Sequence, residues 1–299
     1  MATLPDAAVA HDDQVRRLTL AVLLQIRRLW DRLGSGDWDA AWRTLGPQML
    51  AVMVAGQVAA GRQADAYVAA TVAQLGIDTA TDGRVSPNGL AGTASDGRPL
   101  ASLLYEPVIA ARIAGAAQNL DTAQALAAGR KHLDRIVTTQ VMDADRAASS
   151  VAAVTHKAVT GWVRMAPPPC CPRCAILAGR FYRWSSGFDR HPGDDCTSIP
   201  ATEDVAGDLT TDPRKLIESG KVHGLSAADT KAIVEDGADP ARVINASRGM
   251  TTAAGRKATT TGKAFRQGGV RLRPESIYQL ANGDRTEALR MLRRFGYIL

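Results

Sequence analysis

Apolar residues near the start of the chain recur every three or four positions, a spacing that places them on one face of an α-helix. Asp12 and Asp13 precede this stripe and suit an N-cap and a first helical turn. The segment 34–36, Gly-Ser-Gly, ends it. The pattern predicts a helix from about Asp12 to Leu33. Its apolar positions are Val15, Leu18, Val22, Ile26, Leu29 and Leu33.

Similar patterns predict four more helical stretches before residue 167. The third of them follows a loop over residues 76–98 that is rich in Gly, Asp, Thr and Ser. The fourth begins after Asp121, a candidate N-cap, and is stopped by the three prolines 167–169. The predicted stretches are 38–42, 49–75, 100–118 and about 122–164.

The second half of the chain has shorter elements. Residues 170–200 predict a compact, loop-rich module, and short helices are expected near 214–219 and 227–236. A Gly, Thr and Arg-rich stretch, 249–269, is expected to lie extended or to be ordered by a partner, and Pro274 begins a final helical segment. The predicted fold class is mainly α: a long-helix N-terminal half, a small loop-rich Cys/His module like a zinc knuckle, and short C-terminal helices. The predicted domains are 1–166, 167–205, 206–248 and 249–299.

Composition agrees with a folded, helical chain. Hydrophobic residues make up 45% and charged residues 22% of the 299 residues, which allows a buried core. Aromatic residues are only 5% while alanine is abundant, which favours helices packed through small side chains. No signal peptide and no membrane-spanning segment are expected from the pattern.

Positive charge is concentrated at the C-terminal end. Residues 1–239 carry 24 Lys+Arg and 27 Asp+Glu, a net of −3, whereas residues 240–299 carry 12 and 3, a net of +9. Such a tail could contact the phosphates of nucleic acid without recognising its bases. It could equally dock on an acidic protein surface. The candidate nucleic-acid-binding residues are Arg256, Lys257, Lys263, Arg266, Arg271 and Arg273.

All four cysteines lie between Cys170 and Cys196. Cys171 and Cys174 form a C-x2-C knuckle, and His191 and Cys196 follow about twenty residues later. A Cys3His set of this kind predicts a closed, structural zinc site, in which four protein ligands leave no position for a reactive water.

Other interpretations of these residues stay open. Cys171 and Cys174 could instead form a disulfide, or the thiols could be free; Asp194 or Asp195 could replace a sulfur ligand, and Cys170 is expected to be a bystander. Nearby aromatic residues are expected to form a small core beneath the knuckle, although they could form a binding surface. They are Phe181, Tyr182, Trp184 and Phe188.

Catalytic signatures are absent from the sequence. It contains no GxSxG, Walker A or HExxH motif, and the other histidines, His11, His132, His156 and His223, are scattered. The chain is therefore not expected to be an enzyme. A DNA-binding regulator is also disfavoured, because the helix pair near 212–236 is more acidic than a recognition helix.

Four stretches, which follow one another in a fixed order, resemble the MuF-type head-morphogenesis proteins of tailed bacteriophages of actinobacteria. The Cys/His stretch GWVRMAPPPCCPRCAILAGRFYRWSSGFDRHPGDDC is similar to a segment of that family, with Asp194 where the family has the first cysteine of a Cys-x-Cys. The other three are GTASDGRPLASLLYEPVIAARIAGA, GLSAADTKAIVEDGADPARVINASRGM and RPESIYQLANGDRTEALRMLRRFGYIL.

The resemblance implies a minor capsid protein that lies in the capsid interior or at the portal vertex of the virion and in the host cytoplasm during assembly. Its implied partners are the phage portal protein and the major capsid or scaffolding protein. Double-stranded DNA is a further candidate partner, and no contact with a membrane is implied. The alternative is a capsid maturation protease or another metal-dependent hydrolase, which a site with three ligands and a water would favour.

Overall fold

The computed structural model describes residues 4–184, 196–246, 250–253, 256–259, 271–272, 274–282, 284–295 and 297–298. The chain divides into two compact units. The first, here called the N-terminal unit, comprises Ala2–Met165 and Arg180–Leu209. The second, the C-terminal unit, comprises Ala166–Gly179 and Thr210–Leu299. The predicted Cys/His module, 167–205, therefore contributes residues to both units.

Five α-helices make up most of the N-terminal unit. Asp121 begins the last and longest of them with a capping box. The Asp121 side chain accepts a hydrogen bond from the Gln124 backbone amide, and the Gln124 side chain accepts one from the Asp121 backbone amide. The second helix continues through Pro47, and a break at residues 62–63 separates it from the third. The helices are α1 (Asp6–Trp30), α2 (Trp38–Gly61), α3 (Ala64–Gln74), α4 (Leu100–Gln118) and α5 (Thr122–Thr155).

A three-stranded antiparallel sheet completes the N-terminal unit. Its strands are β1 (Gly161–Met165), β2 (Phe181–Arg183) and β3 (Thr197–Ala201), with β1 in the centre. Gly161 pairs with Arg183 on one side and Ala201 on the other. A Cβ on Gly161 would lie 2.1 Å from the Tyr182 carbonyl oxygen, so only glycine fits at this position of the central strand.

Two apolar clusters form the core of the N-terminal unit. One joins α1, α2, α4 and α5 around the fully buried Trp30, Met49, Met53, Leu104 and Leu133. The other joins α3 and α5 to the sheet through side chains such as Val68, Ala152, Val163 and Ile199. The first cluster contains Val22, Ile26 and Leu33 of the predicted stripe, and the partly buried Leu18 and Leu29 pack against it. Val15 is also buried.

The C-terminal unit consists of short helices and a second small sheet. Its helices pack around Ile217, Ile233, Val243, Ile277 and Leu292. The helices are α6 (Pro172–Leu177), α7 (Pro213–Glu218), α8 (Ala227–Val234), α9 (Pro240–Asn245), α10 (Pro274–Ala281) and α11 (Arg285–Arg294). The strands are β4 (Met250–Ala253), β5 (Arg256–Thr259) and β6 (Arg271–Leu272), antiparallel with β5 in the centre.

The mainly helical prediction is confirmed, and several boundaries need correction. The first helix begins at Asp6, not near Asp12, because residues 7–10 are helix-forming and Ala8 is fully buried. The helix predicted to reach Arg164 ends at Thr155. Residues 161–165 form β1 instead, since Gly161 weakens a helix and Trp162 and Val163 favour a strand.

One helix of the described residues, α4, is long and apolar enough to cross a membrane, although the sequence pattern predicted no such segment. Its most apolar window has a mean hydropathy of 1.3, and 33% of that window is buried. Leu100, Leu104 and Val108 are fully buried in the apolar core of the N-terminal unit. Core helices also meet a test of length and composition, so this finding alone is weak evidence for a membrane.

Candidate thiol site and buried polar cluster

The C-x2-C knuckle lies at the start of α6 in the C-terminal unit. Cys171 is the N-cap of this helix, and its Sγ accepts a hydrogen bond from the Cys174 amide at 3.4 Å. The Sγ atoms of Cys171 and Cys174 are 3.2 Å apart. Cys171 is partly exposed, whereas Cys174 is 1% exposed. The local turn thus brings two thiols together with unequal access to solvent.

The backbone before the knuckle is held by a neighbouring segment. The Cys170 amide donates to the Lys221 carbonyl, and the His223 amide donates to the Cys170 carbonyl, both at 3.1 Å. Pro172, at the first position of α6, has no amide to leave unsatisfied there. These contacts fix the position from which Cys171 and Cys174 project.

The other two predicted ligands are placed differently. His191 lies outside the described residues. Cys196 belongs to the N-terminal unit, is 1% exposed, and its carbonyl accepts a hydrogen bond from Arg146 Nε at 2.8 Å. Within the described residues, no group of three or more His, Cys, Asp or Glu side chains is close enough to hold a metal ion. Cys171 and Cys174 are thus the predicted ligands that the described structure brings together.

The knuckle nevertheless fits half of a zinc site. Two thiolates bound to one tetrahedral zinc at ~2.3 Å are separated by about 3.8 Å. The observed separation of 3.2 Å would need to open by only about 0.6 Å. Soft sulfur donors are also those that zinc prefers.

The basic residues predicted to contact nucleic acid fall on the second sheet or outside the described residues. Arg256 and Lys257 are in β5, and Arg271, in β6, pairs with Thr259. Lys263, Arg266 and Arg273 lie outside the described residues. The stretch 249–269, predicted to be extended, does contain extended segments, which pair as strands β4 and β5.

The aromatic residues after the knuckle belong to the N-terminal unit. Phe181 is half-buried and packs against the apolar cluster around the sheet, whereas Trp184 is 54% exposed. Tyr182 pairs with Trp162 across β1 and β2. Phe188 lies outside the described residues. Phe181 therefore packs in the core of the N-terminal unit, and the small core expected beneath the knuckle is not shown by the described residues.

A buried polar cluster lies where α1, α3, α5 and β3 meet, and sequence reasoning missed it. The His11 ring stacks on Tyr67 with centroids 3.8 Å apart, and His11 Nε2 lies 2.9 Å from Asp145 Oδ1 without the alignment of a hydrogen bond. Asp12 accepts hydrogen bonds from Arg16 Nε at 2.7 Å and from Thr197 Oγ1 at 2.8 Å.

Tyr67 connects this cluster to the sheet. Its hydroxyl donates to the Ser198 carbonyl at 2.6 Å. Burial raises the pKa of Tyr67 well above the ordinary value of 10.0, and the neighbouring carboxylates of Asp145 and Asp12 raise it further. The phenol therefore stays protonated as a hydrogen-bond donor, which indicates a structural role in joining α3 to β3.

Replacing Tyr67 by phenylalanine should reduce stability at neutral pH by about 1–2 kcal/mol, because the buried Ser198 carbonyl loses its donor. Above the unfolded pKa of about 10, the unfolded chain loses a proton that the folded chain keeps, so Tyr67 makes stability fall by about 1.4 kcal/mol per pH unit. Tyr67→Phe should remove this contribution. Urea unfolding between neutral pH and pH 11 measures both effects, and equal alkaline slopes in the two proteins would contradict the assignment.

A cavity of about 630 Å³ opens between α2, α5 and the loop over residues 76–98. The Gln57 side chain accepts a hydrogen bond from the Gly92 amide and donates one to the Thr93 carbonyl. The Gln140 side chain accepts a hydrogen bond from the Ser95 amide. The long loop is thus anchored by glutamines from two helices. Arg146 borders the cavity, is 3% exposed, and donates to Asp143 at 3.0 Å.

The polar cluster could not be predicted from a linear motif, because its hydrogen bonds join residues such as Asp12 and Thr197 that are 185 positions apart. The fold that holds it is a mainly α-helical unit with a small antiparallel sheet. Searches of protein families, of curated proteins and of solved structures found no match to this chain.

Proposed function

We propose that this chain is a minor capsid protein of a tailed bacteriophage, of the MuF head-morphogenesis type, with a structural and not an enzymatic role. The observation that carries the proposal is the ordered set of four stretches, spread from residue 92 to residue 299, that resemble this family.

Its proposed partners are the portal protein and the major capsid or scaffolding protein, met in the procapsid interior. Apolar side chains on the surface of the N-terminal unit support contacts with other proteins. Leu20 and Leu24 on α1 are 54% and 45% exposed, and Ile109 and Ile113 on α4 are 43% and 64% exposed. Each pair is spaced four residues apart, so each lies on one side of its helix.

Quantitative mass spectrometry of purified heads, made with and without this gene, tests the proposal. The chain is expected in mature heads at a small number of copies relative to the major capsid protein, and heads from the deletion should assemble poorly or eject DNA inefficiently. The portal protein, counted in the same sample, is the internal control. Absence of the chain from both procapsids and heads would contradict a structural role.

A structural zinc ion is proposed for the cysteine segment. Cys171, Cys174, His191 and Cys196 would hold it, and the described thiol pair has a spacing that fits half of the site. Zinc in such a closed site supplies folding free energy and no activated water. This assignment agrees with the non-enzymatic role proposed for the chain.

DNA contact by the basic tail is proposed as a sequence-independent contact with phosphates. Changing Arg256, Lys257, Lys263 and Arg266 together to glutamine should weaken DNA binding and lower the slope of log affinity against log salt by up to about 3–4, since each lost phosphate contact contributes about 0.9. Fluorescence anisotropy with duplex DNA at several salt concentrations measures this slope.

A matched control changes the same total charge in the N-terminal unit, at residues that are exposed. Substitution of this set by glutamine should leave the salt slope close to that of the unmodified chain, whereas an equal loss from both variants would mean that net charge alone governs binding. The control residues are Arg17, Arg28, Lys131 and Arg135.

A further inference from the structure

The thiol pair at the start of α6 has a geometry suited to chemistry other than metal binding. Cys171 Sγ and Cys174 Sγ are already in contact at 3.2 Å, on residues that are three positions apart in a fixed turn. We infer that Cys171 and Cys174 form a reversible intramolecular disulfide, and that Cys171 is the thiol which reacts first with the oxidant. This inference does not depend on a role in head assembly.

Exposure decides which thiol reacts first. Cys171 is partly exposed, so a small disulfide in solution can reach its sulfur. Cys170, Cys174 and Cys196 are exposed by 0%, 1% and 1% respectively, so a dissolved oxidant cannot reach them in the folded chain. Cys171 is thus the accessible member of the four, and Cys174 is the sulfur in contact with it.

The reaction is a pair of thiol–disulfide exchanges with a small disulfide such as oxidised glutathione. The Cys171 thiolate attacks one glutathione sulfur, forms a mixed disulfide and releases the other glutathione as a thiolate. The Cys174 thiolate then attacks the Cys171 sulfur and releases the second glutathione thiolate. Each cysteine proton ends on one released glutathione, so two protein thiols and one oxidised glutathione become one protein disulfide and two reduced glutathiones.

The small ring points to a reversible bond and not to a stabilising cross-link. A disulfide across two intervening residues restricts the unfolded chain little, so it adds little of the stability that long-loop disulfides provide. Partly exposed disulfides are also the ones that reducing agents open readily. Closure would remove both thiolates from any metal bound at the knuckle, so oxidation and metal binding would compete.

The test treats the full chain with oxidised glutathione after removal of metal with a chelator, then measures intact mass and maps disulfides on peptides. The unmodified chain should lose two hydrogens and give a Cys171–Cys174 link. Cys174→Ser should stop at the first step and retain one glutathione on Cys171. Cys171→Ser should react about tenfold more slowly or not at all, because the remaining thiols are buried.

Folding of the unmodified chain after chelation, and of the variants, is checked separately by circular dichroism. Serine at position 171 can still accept the Cys174 amide as an N-cap, so Cys171→Ser is expected to fold and serves as the decisive variant. The inference is overturned if Cys171→Ser reacts as fast as the unmodified chain, or if the disulfide links Cys170 or Cys196 instead of the knuckle pair.

A parallel arm omits the chelator and adds zinc. Slower oxidation in this arm would support competition between zinc and the disulfide. Equal oxidation rates in both arms would argue against zinc at the knuckle and would not affect the disulfide inference. Failure of the metal proposal and failure of the disulfide inference therefore give different results.

Discussion

Replacing Gly129 by alanine should destabilise the N-terminal unit by about 2–3 kcal/mol, although alanine is normally the better helix former. Gly129 lies inside α5, and a Cβ there would be 2.6 Å from the Pro107 carbonyl oxygen and 2.9 Å from both the Ala111 Cβ and the Trp30 ring. The Pro107 oxygen belongs to the backbone, which cannot relieve the contact by changing a side-chain rotamer. The loss should appear as a lower midpoint in urea unfolding with little change in its slope.

Gly115→Ala is the matched control. Gly115 lies in α4, where a Cβ would meet only Ala125 Cβ at 3.4 Å, an ordinary contact. The same substitution should there stabilise the unit by about 0.5–1 kcal/mol, through helix propensity and a more restricted unfolded chain. Opposite signs at the two glycines would show that close helix packing governs Gly129. A gain at both positions would contradict the close approach of α4 and α5.

Helix positions were largely predictable because periodicity is a local signal. The boundaries of α4 agree with the predicted 100–118, and Asp121 caps α5 as predicted. The error after Thr155 has a physical source, because the Val159-to-Met165 stretch has strand propensity and its strand partners, residues 181–183 and 197–201, lie far along the chain. Long-range pairing of this kind leaves no mark in a local pattern.

The candidate site was predictable only where its geometry is local. The Cys171 and Cys174 contact follows from a spacing of three at a helix start, which a sequence displays directly. The stacking of His11 on Tyr67 and the contact of His11 with Asp145 depend on the packing of three helices. His11 therefore looked like one of several scattered histidines until the fold placed it.

The adjacent residues Asp12 and Asp13 also show that a local sequence pattern does not predict tertiary contacts. Both looked suited to the start of a helix, yet α1 begins at Asp6 and both aspartates lie inside it. Asp12 is 3% exposed and accepts from Arg16 and Thr197, whereas Asp13 is exposed. Only the tertiary packing distinguishes the two carboxylates.

Asp12→Asn is expected to cost about 2–3 kcal/mol. The neutral amide weakens the charge-assisted hydrogen bond from Arg16, and its NH2 group cannot accept from the donors that surround Asp12. The Arg16 side chain is 34% exposed and can turn to water, which keeps the cost below that of a fully buried broken ion pair.

Asp13→Asn should change stability by no more than about 0.5 kcal/mol, as is usual for exposed positions. The two variants share the same substitution, the same helix and nearly the same distance from its N-terminus, so helix propensity and the interaction with the helix dipole largely cancel between them. Urea unfolding of both variants therefore isolates the buried contacts of Asp12. Equal small losses would mean that α1 is not fixed to β3 through Thr197, and the polar cluster would then lose its proposed role in joining the helices to the sheet.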